Sequence, residues 1–296
     1  MKLAQIKQDD KIILGIIHKE KNFDIQLLEL AILGTNKVSN LLHVNLNNID
    51  QYNYLRNRIT YLDLTYYDSC QINGDYRFLP PILNPPKNII CVGKNYRDHA
   101  AETGDRNDGS EHIVLFSKPQ TTLIGNRGKI NAHSELTNAL DYEGELAVVI
   151  GKKGKNITED EALNYVFGYT ILNDVTARDL QSKHNQFFFG KSLDTFCPIG
   201  PWIVEKEDIS NIKDCRIITV VNGEIRQNDL VANMTFSVEK IISTISKGIT
   251  LEPGDIIATG TPAGVGKGFN PPRYLKTGDE ITITINGIGS LSNIVK

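Results

Sequence analysis

Two glutamates, Glu143 and Glu145, open the apolar run in the segment ALDYEGELAVVIG. In an extended strand alternate side chains share a face, so both carboxylates project on one side together with Ala147 and Val149. Such a pair repels itself and requires water, basic partners or a cation. A solvated strand end or a pair of surface salt bridges is the ordinary answer. A third carboxylate, Asp174, closes the apolar segment FGYTILND, where the ordinary role is a helix N-cap or an Asx turn. Together the three form an all-oxygen donor set without Cys or His. That chemistry suits a hard cation, Mg²⁺ or Mn²⁺, and argues against Zn²⁺, with open positions left for water and a substrate.

His99 and Glu102 lie three residues apart in NYRDHAAETG, a spacing that puts both on one face of a helical turn, either as surface decoration or as a working pair. Arg178 and Gln181 in TARDLQ have the same spacing and directly follow Asp174. Arg178 can pair with Asp179 or a nearby glutamate, and Gln181 can simply be exposed. Lys191 follows three phenylalanines, Phe187 to Phe189, as a snorkelling surface lysine would. The segment TGTPAGVG (Thr259 to Gly266) lacks the GxxxxGK[ST] pattern and precedes no good helix, which argues against a nucleotide phosphate loop. Its backbone amides and the Thr261 hydroxyl can still bind a carboxylate, or the stretch can be a tight connection between strands.

The elements that must position these groups are mostly strands. NIICVG, HIVLFSK, GELAVVIG, FGYTILND, GPWIV, RIITVVNGEIR, GDIIATG and DEITITINGIGSLSNIV are short and β-branched. Asn222-Gly223 and Asn286-Gly287 carry the pair preferred in type I′ hairpin turns. Helices are few: Thr158 with Glu161 forms a capping box for TEDEALNYV, and Ser237 caps VEKIISTISK, which ends at Gly248 as a C′ residue. Residues 1–85 differ. KIILGIIH reads as a strand, the Leu/Asn/Ile-rich run to Ile59 has helical spacing, and PPILNPP (Pro80 to Pro86) interrupts regular structure. The expected division is a small N-terminal α+β domain, 1–85, and a β-rich catalytic domain, 86–296.

Composition narrows the function. With 40% hydrophobic and 23% charged residues, the 296-residue chain can bury a substantial core. A formal charge of −3 with dispersed Lys and Arg argues against nucleic acid or anionic membrane as partner, which leaves a small molecule. No stretch approaches the roughly 20 apolar residues of a membrane span, and the start lacks a signal segment, so a soluble, unprocessed protein is expected. Cys70, Cys91, Cys197 and Cys215 are far apart without a CxxC pair, and three sit among apolar neighbours, as reduced thiols of a cytoplasmic protein do.

The set ICVGKNYRDHAAE, DYEGELAVVIG, GYTILNDVTARDLQ, FFGKSLDTFCPIGPWIV, IATGTPAGVG and PPRYLKTGDEITITINGIGSL resembles, in order and spacing, the fumarylacetoacetate hydrolase family over about residues 85 to 296. The resemblance implies an α+β, mainly β fold, a mixed β-sandwich roll, commonly assembled as a homodimer. It implies that Glu143, Glu145 and Asp174 hold one Mg²⁺ or Mn²⁺. It further implies that His99 and Glu102 form a water-activating dyad on a lid, for which TGDRNDGSE (Thr103 to Glu111) is a hinge, and that Lys191 stabilises negative charge on the substrate. Arg178 and Gln181 would face the substrate, Arg178 also supporting the carboxylates, with Lys118 of LFSKPQ on the substrate side as well. Histidine suits such work because its ordinary pKa is ~6.5.

The implied chemistry is cleavage beside a carbonyl in a 2-oxo or 2,4-dioxo acid, with the ion as Lewis acid: decarboxylation of oxaloacetate or hydrolysis of an acylpyruvate. Isomerisation or decarboxylation of aromatic-ring-cleavage dioates of the 5-carboxymethyl-2-hydroxymuconate type is the second reading. A non-catalytic binding or regulatory module, using the N-terminal 85 residues, is the third.

Overall fold

Apolar, β-branched runs pair into two main sheets whose inner faces share one core, with a two-stranded ladder beside them. The structure is a computed structural model that describes residues 1–18, 21–24, 67, 69–104, 111–184 and 186–296. The chain begins with β1 (Lys2–Gln8), β2 (Lys11–His18), β3 (Lys21–Asp24) and β4 (Arg77–Phe78). After an irregular proline-rich stretch come β5 (Ile89–Gly93), the short helix α1 (Arg97–Glu102), β6 (Val114–Lys118), β7 (Leu123–Ile124), β8 (Lys129–Ile130) and β9 (Leu140–Asp141). The centre holds β10 (Gly144–Ile150), α2 (Glu159–Ala162), β11 (Val166–Asn173), β12 (Thr176–Ala177), α3 (Arg178–Lys183), α4 (Phe188–Lys191) and β13 (Cys197–Glu205). The chain closes with β14 (Arg216–Val221), β15 (Glu224–Leu230), α5 (Val238–Ser246), β16 (Ile256–Ala258), β17 (Glu280–Ile285) and β18 (Gly289–Val295).

The larger sheet runs in the order β3-β2-β1-β13-β11-β10-β16-β5-β6, with β4 beside β1 and β7 beside β13. It is mixed, because β16 pairs with β5 in parallel while its other main ladders are antiparallel. The second sheet runs β15-β14-β17-β18-β8. Leu146 and Val148 of β10 and Ile171 of β11 pack with Ile217, Ile283 and Leu291 of the second sheet, and Ile241 and Ile245 of α5 join them. The opposite face of β10, Ala147 and Val149, packs with Leu172, Ile199 and Ile256. A strand apolar on both faces is the mark of a central strand, and every residue of β10 and β11 is buried. The α+β, mainly β sandwich expected from the sequence is the fold found.

The N-terminal strands β1 to β3 extend the same large sheet through β1, which pairs with β13 at Lys2↔Val204 and Leu3↔Ile203. Most of the expected helical run up to Ile59 lies outside the described residues, as do residues 105–110 of the expected hinge.

Local signals were met unevenly. Asn222 and Gly223 both adopt positive φ (50° and 82°) in a two-residue hairpin between β14 and β15, as a type I′ turn requires. Asn286-Gly287 departs from that expectation. The ladder resumes at Ile285↔Gly289, giving a three-residue loop in which Gly287 has a φ of 83° and Asn286 is not left-handed. The Asn286 side chain instead accepts a hydrogen bond from the Arg216 backbone, which fixes its orientation. Ser237 caps α5 by accepting from the Lys240 amide. Thr158 does not cap α2 through its side chain, because its hydroxyl donates to the Glu161 carboxylate instead. Gly248 follows the end of α5 without the left-handed conformation of a C′ glycine.

Candidate metal and active site

Register brings the three carboxylates together. In the antiparallel ladder Gly144 faces Asn173, so Glu143 and Asp174 flank the same end, and the Asp174 amide donates to the Glu143 carbonyl at 2.9 Å. The Asn173 side chain accepts from the Glu143 amide at 3.0 Å. Glu145, two residues further along β10, points to the same side. The oxygens of Glu143, Glu145 and Asp174 lie within 4.8 Å of one another and all three residues are buried. Two ligands each 2.0–2.6 Å from a shared ion stand at most about 5 Å apart, so the spacing fits one hard divalent cation.

Electrostatics support the fit. Burial raises the Glu145 carboxyl well above its ordinary range, and Asp174 and Glu143 raise it further. A divalent ion would relieve that crowding. Glu143 goes the other way: burial opposes its charge, but Lys191 and Arg178 hold it down at about 2. Lys191 Nζ reaches Glu143 Oε2 at 2.7 Å and Asp174 Oδ2 at 2.8 Å. Burial disfavours its charge, yet Asp174 and Glu143 raise its pKa above the ordinary lysine value. Lys191 is therefore no snorkelling surface residue. It sits at the end of α4, which packs tightly on α3 because residue 190 is glycine; a Cβ there would lie 2.6 Å from the Gln181 amide nitrogen.

Arg178, at the start of α3, is equally enclosed. Its Nε donates to Asp141 at 2.8 Å, and its Nη1 meets Glu143 at 2.7 Å and Gln181 at 3.2 Å, while Nη2 is buried without a partner. Asp141 and Glu143 outweigh burial and strengthen its hold on the proton. Asp179, the other partner considered from sequence, faces Thr137 and the Asn138 amide.

His99 and Glu102 of α1 do meet, with Nδ1 2.9 Å from Oε1, and His99 is 7% exposed. A cavity of about 210 Å³ is lined by His99, Glu143, Glu145, Arg178, Gln181 and Lys191 among others. Seven of the ten residues singled out from sequence thus line one space, and Asp174 and Glu102 bond to two of them, Lys191 and His99. Thr261 is the seventh, but its hydroxyl already donates to the Gly144 carbonyl at 2.9 Å and accepts from Gln227 at 2.7 Å. Its role is to tie the loop after β16 to the carboxylate strand. Lys118 departs most from expectation. It is fully buried and gives its ammonium to Asp174 at 2.5 Å, to the Val175 carbonyl at 3.1 Å and to the Lys191 carbonyl, so it braces Asp174 instead of facing a substrate.

Three contributors went unread in the sequence. Asp141 is 0% exposed and anchors Arg178; its signal was an unpaired acid two residues before Glu143. Gln227, also 0% exposed, accepts from the Gly144 amide at 2.9 Å and donates to the Pro262 carbonyl at 2.7 Å. Asn95 bonds the Phe236 and Thr259 carbonyls and the Phe236 amide, pinning the segment that leads into α1.

With this geometry in place, comparison with known proteins settles the class. The chain belongs to the fumarylacetoacetate hydrolase family, whose model for the fumarylacetoacetate (FAA) hydrolase C-terminal region matches residues 88–296. The chain is similar to oxaloacetate tautomerase YisK of Bacillus subtilis (strain 168), 57% identical over 213 residues that make up 72% of this chain and 71% of that protein. Among solved structures it resembles a fumarylacetoacetate hydrolase from psychrophilic Exiguobacterium antarcticum, with a TM-score of 0.82, 43% identity, and coverage of 100% and 99% of the two chains. It also resembles maleylpyruvate hydrolase from Sphingobium sp. SYK-6 in complex with manganese(II) and pyruvate, with a TM-score of 0.75, 26% identity, and coverage of 100% and 98%. Among the described residues no helix is long and apolar enough to cross a membrane.

Proposed function

We propose that this chain is a divalent-metal-dependent enzyme of 2-oxo acids, with proton transfer at the carbon beside the oxo group as its central step. The observation that carries the reading is the His99–Glu102 pair, whose buried histidine borders the same cavity as Glu143, Glu145, Arg178 and Lys191. Mg²⁺ or Mn²⁺ held by Glu143, Glu145 and Asp174 would polarise the oxo group and lower the cost of placing negative charge on it.

The protein's own groups divide the remaining work. Glu102 accepts from His99 Nδ1–H and so leaves Nε2 as the basic nitrogen to take or return the carbon-bound proton. Lys191 holds a fixed positive charge beside the carboxylates, where substrate charge develops. Arg178 has one buried nitrogen without a partner, suited to a substrate carboxylate, and Gln181 steadies Arg178 through its other terminal nitrogen.

Interconversion of the keto and enol forms of an oxaloacetate-like acid is the outcome these parts support best, because it needs proton transfer alone; the similarity to the Bacillus tautomerase favours it. Cleavage of a carbon–carbon bond, by decarboxylation of oxaloacetate or hydrolysis of an acylpyruvate, is the second reading, favoured by the likeness to maleylpyruvate hydrolase. Ultraviolet absorbance of enol-oxaloacetate, followed with Mg²⁺ or Mn²⁺, separates them from each other when pyruvate release is measured alongside. The central reading fails if turnover of oxaloacetate and acetylpyruvate is the same with and without EDTA. We assign the working unit as a cytoplasmic homodimer on the family pattern and on four buried, unpaired cysteines.

A further inference from the structure

We propose that the segment Gly264–Gly268 is the seat that fixes the His99–Glu102 pair, and that Gly268 is a positioning residue for it; this rests on the functional reading above. The helix that carries the pair is poorly equipped to hold it alone. α1 has six residues and no side-chain cap at its N-terminus, and a helix that short is marginal without outside contacts.

The contacts come from consecutive backbone amides. Gly264 N–H donates to Glu102 Oε2 at 2.8 Å and Val265 N–H to Oε1 at 3.4 Å. The next two amides serve a different carboxylate: Gly266 and Lys267 donate to Asp141 Oδ1 and Oδ2 at 2.7 and 3.0 Å. Asp141 in turn holds Arg178, and Arg178 holds Glu143. One turn of chain therefore orients both the acid behind the proton-transferring histidine and the acid behind the arginine. Successive amides in such a loop form an anion-binding concavity, and here both anions are the protein's own.

The glycines explain why this loop can serve. Gly264 has a φ of +104°, and a Cβ there would lie 1.9 Å from the Arg226 carbonyl oxygen, so its shape is closed to other residues. Gly268 is different. Its backbone is not left-handed, and the three atoms nearest a built Cβ all belong to Glu102, with Oε2 at 2.2 Å and Cδ at 2.6 Å. An alanine suits the backbone at 268 and collides with the end of one flexible side chain. It should dislodge Glu102 while leaving the fold and the carboxylate triad intact.

The test uses the full-length Gly268→Ala protein beside Glu102→Gln and the double variant. Hydrogen–deuterium exchange across residues 97–103 should accelerate at least about fivefold in Gly268→Ala, as local opening becomes easier, while the Mn²⁺ dissociation constant stays within about twofold because no triad residue has moved. Turnover of the 2-oxo acid should fall about tenfold or more through kcat, consistent with loss of general-base alignment. Adding Glu102→Gln should cost little further, since both act through one carboxylate. Unchanged exchange over 97–103, or effects of the two substitutions that multiply, would overturn the proposal. Absence of 2-oxo acid turnover in the unsubstituted enzyme would count against the functional reading instead, and the exchange comparison would still judge the seat.

Discussion

Replacing Lys191 by methionine probes the electrostatic centre of the site. The ammonium lies 2.7 Å from Glu143 and 2.8 Å from Asp174, and the residue is 2% exposed. Methionine keeps the side chain up to its ε carbon and removes the charged group. The fall in the Glu143 pKa from 4.5 to about 2, at ~1.36 kcal/mol per pH unit, is worth about 3 kcal/mol of native stability at neutral pH. Burial works against that charge, and among the attractive partners Lys191 stands first, ahead of Arg178 and His99. Its removal should therefore cost the metal-free protein on the order of 3 kcal/mol at pH 7, as breaking a buried pair does. The sign with pH follows from the direction of the shift. A carboxyl depressed in the folded state contributes fully above its unfolded pKa of 4.5, and the contribution disappears as pH falls from 4.5 toward 2. Urea unfolding in EDTA, from pH 7 down to pH 3, should show a gap between wild type and variant that is full near neutrality and shrinks in acid. Added Mn²⁺ should narrow the gap at pH 7, because the ion replaces the missing positive charge. A gap below about 0.5 kcal/mol at pH 7, the range of an exposed ion pair, or one that widens in acid, would refute the reasoning.

Other perturbations test separate links. His99→Ala should lower turnover of the 2-oxo acid about 10²-fold or more while leaving Mn²⁺ affinity within about twofold; an equal loss of both would make His99 a structural residue, as isothermal titration would reveal. Glu145 is raised by burial and by its acidic neighbours, so metal uptake should release protons in increasing number as pH is lowered toward 5. Calorimetry in buffers of different ionisation enthalpy measures that number, and zero release across the range would contradict it. Gly144→Ala places a Cβ 2.3 Å from Thr219 Oγ1, between the two sheets; overpacking there should cost about 1–3 kcal/mol, read as a lowered urea midpoint, and an unchanged midpoint would be the contrary result.

Legibility of the site in the sequence followed the range of the interaction concerned. The common face of Glu143 and Glu145 is a property of one strand, and alternation alone predicts it. The meeting of His99 and Glu102 is a property of one helical turn, and spacing alone allows it. Lys118 was misplaced because its role depends on a partner 56 residues away: only the β5–β6 ladder, which puts Lys118 opposite Ile89, carries its chain toward Asp174. Asp141 escaped notice for the same reason. In sequence it is one more acid before a strand, and its partners are Arg178 and two amides 125 and 126 residues away. The misread turn at Asn286-Gly287 belongs here too, since a contact with Arg216, 70 residues distant, overrode the local preference of the pair.

A consequence follows for how the site holds its charges. Glu143, Asp174, Asp141 and Glu102 each find donors, but the donors differ in kind. Glu143 and Asp174 meet ammonium and guanidinium groups, which can adjust as a divalent ion and an anionic substrate alter the local field. Asp141 and Glu102, besides holding Arg178 and His99, are each anchored by backbone amides, which carry no net charge to give up and move only if the loop moves. Adjustable cations thus stand next to the carboxylates assigned to the metal, and rigid dipoles stand behind the groups assigned to align base and substrate. A site built this way should tolerate Mg²⁺ and Mn²⁺ alike, because exchanging one for the other alters charge density at the adjustable shell and leaves the His99–Glu102 alignment unchanged. Substitution in the 264–268 loop should accordingly impair turnover by a similar factor with either ion.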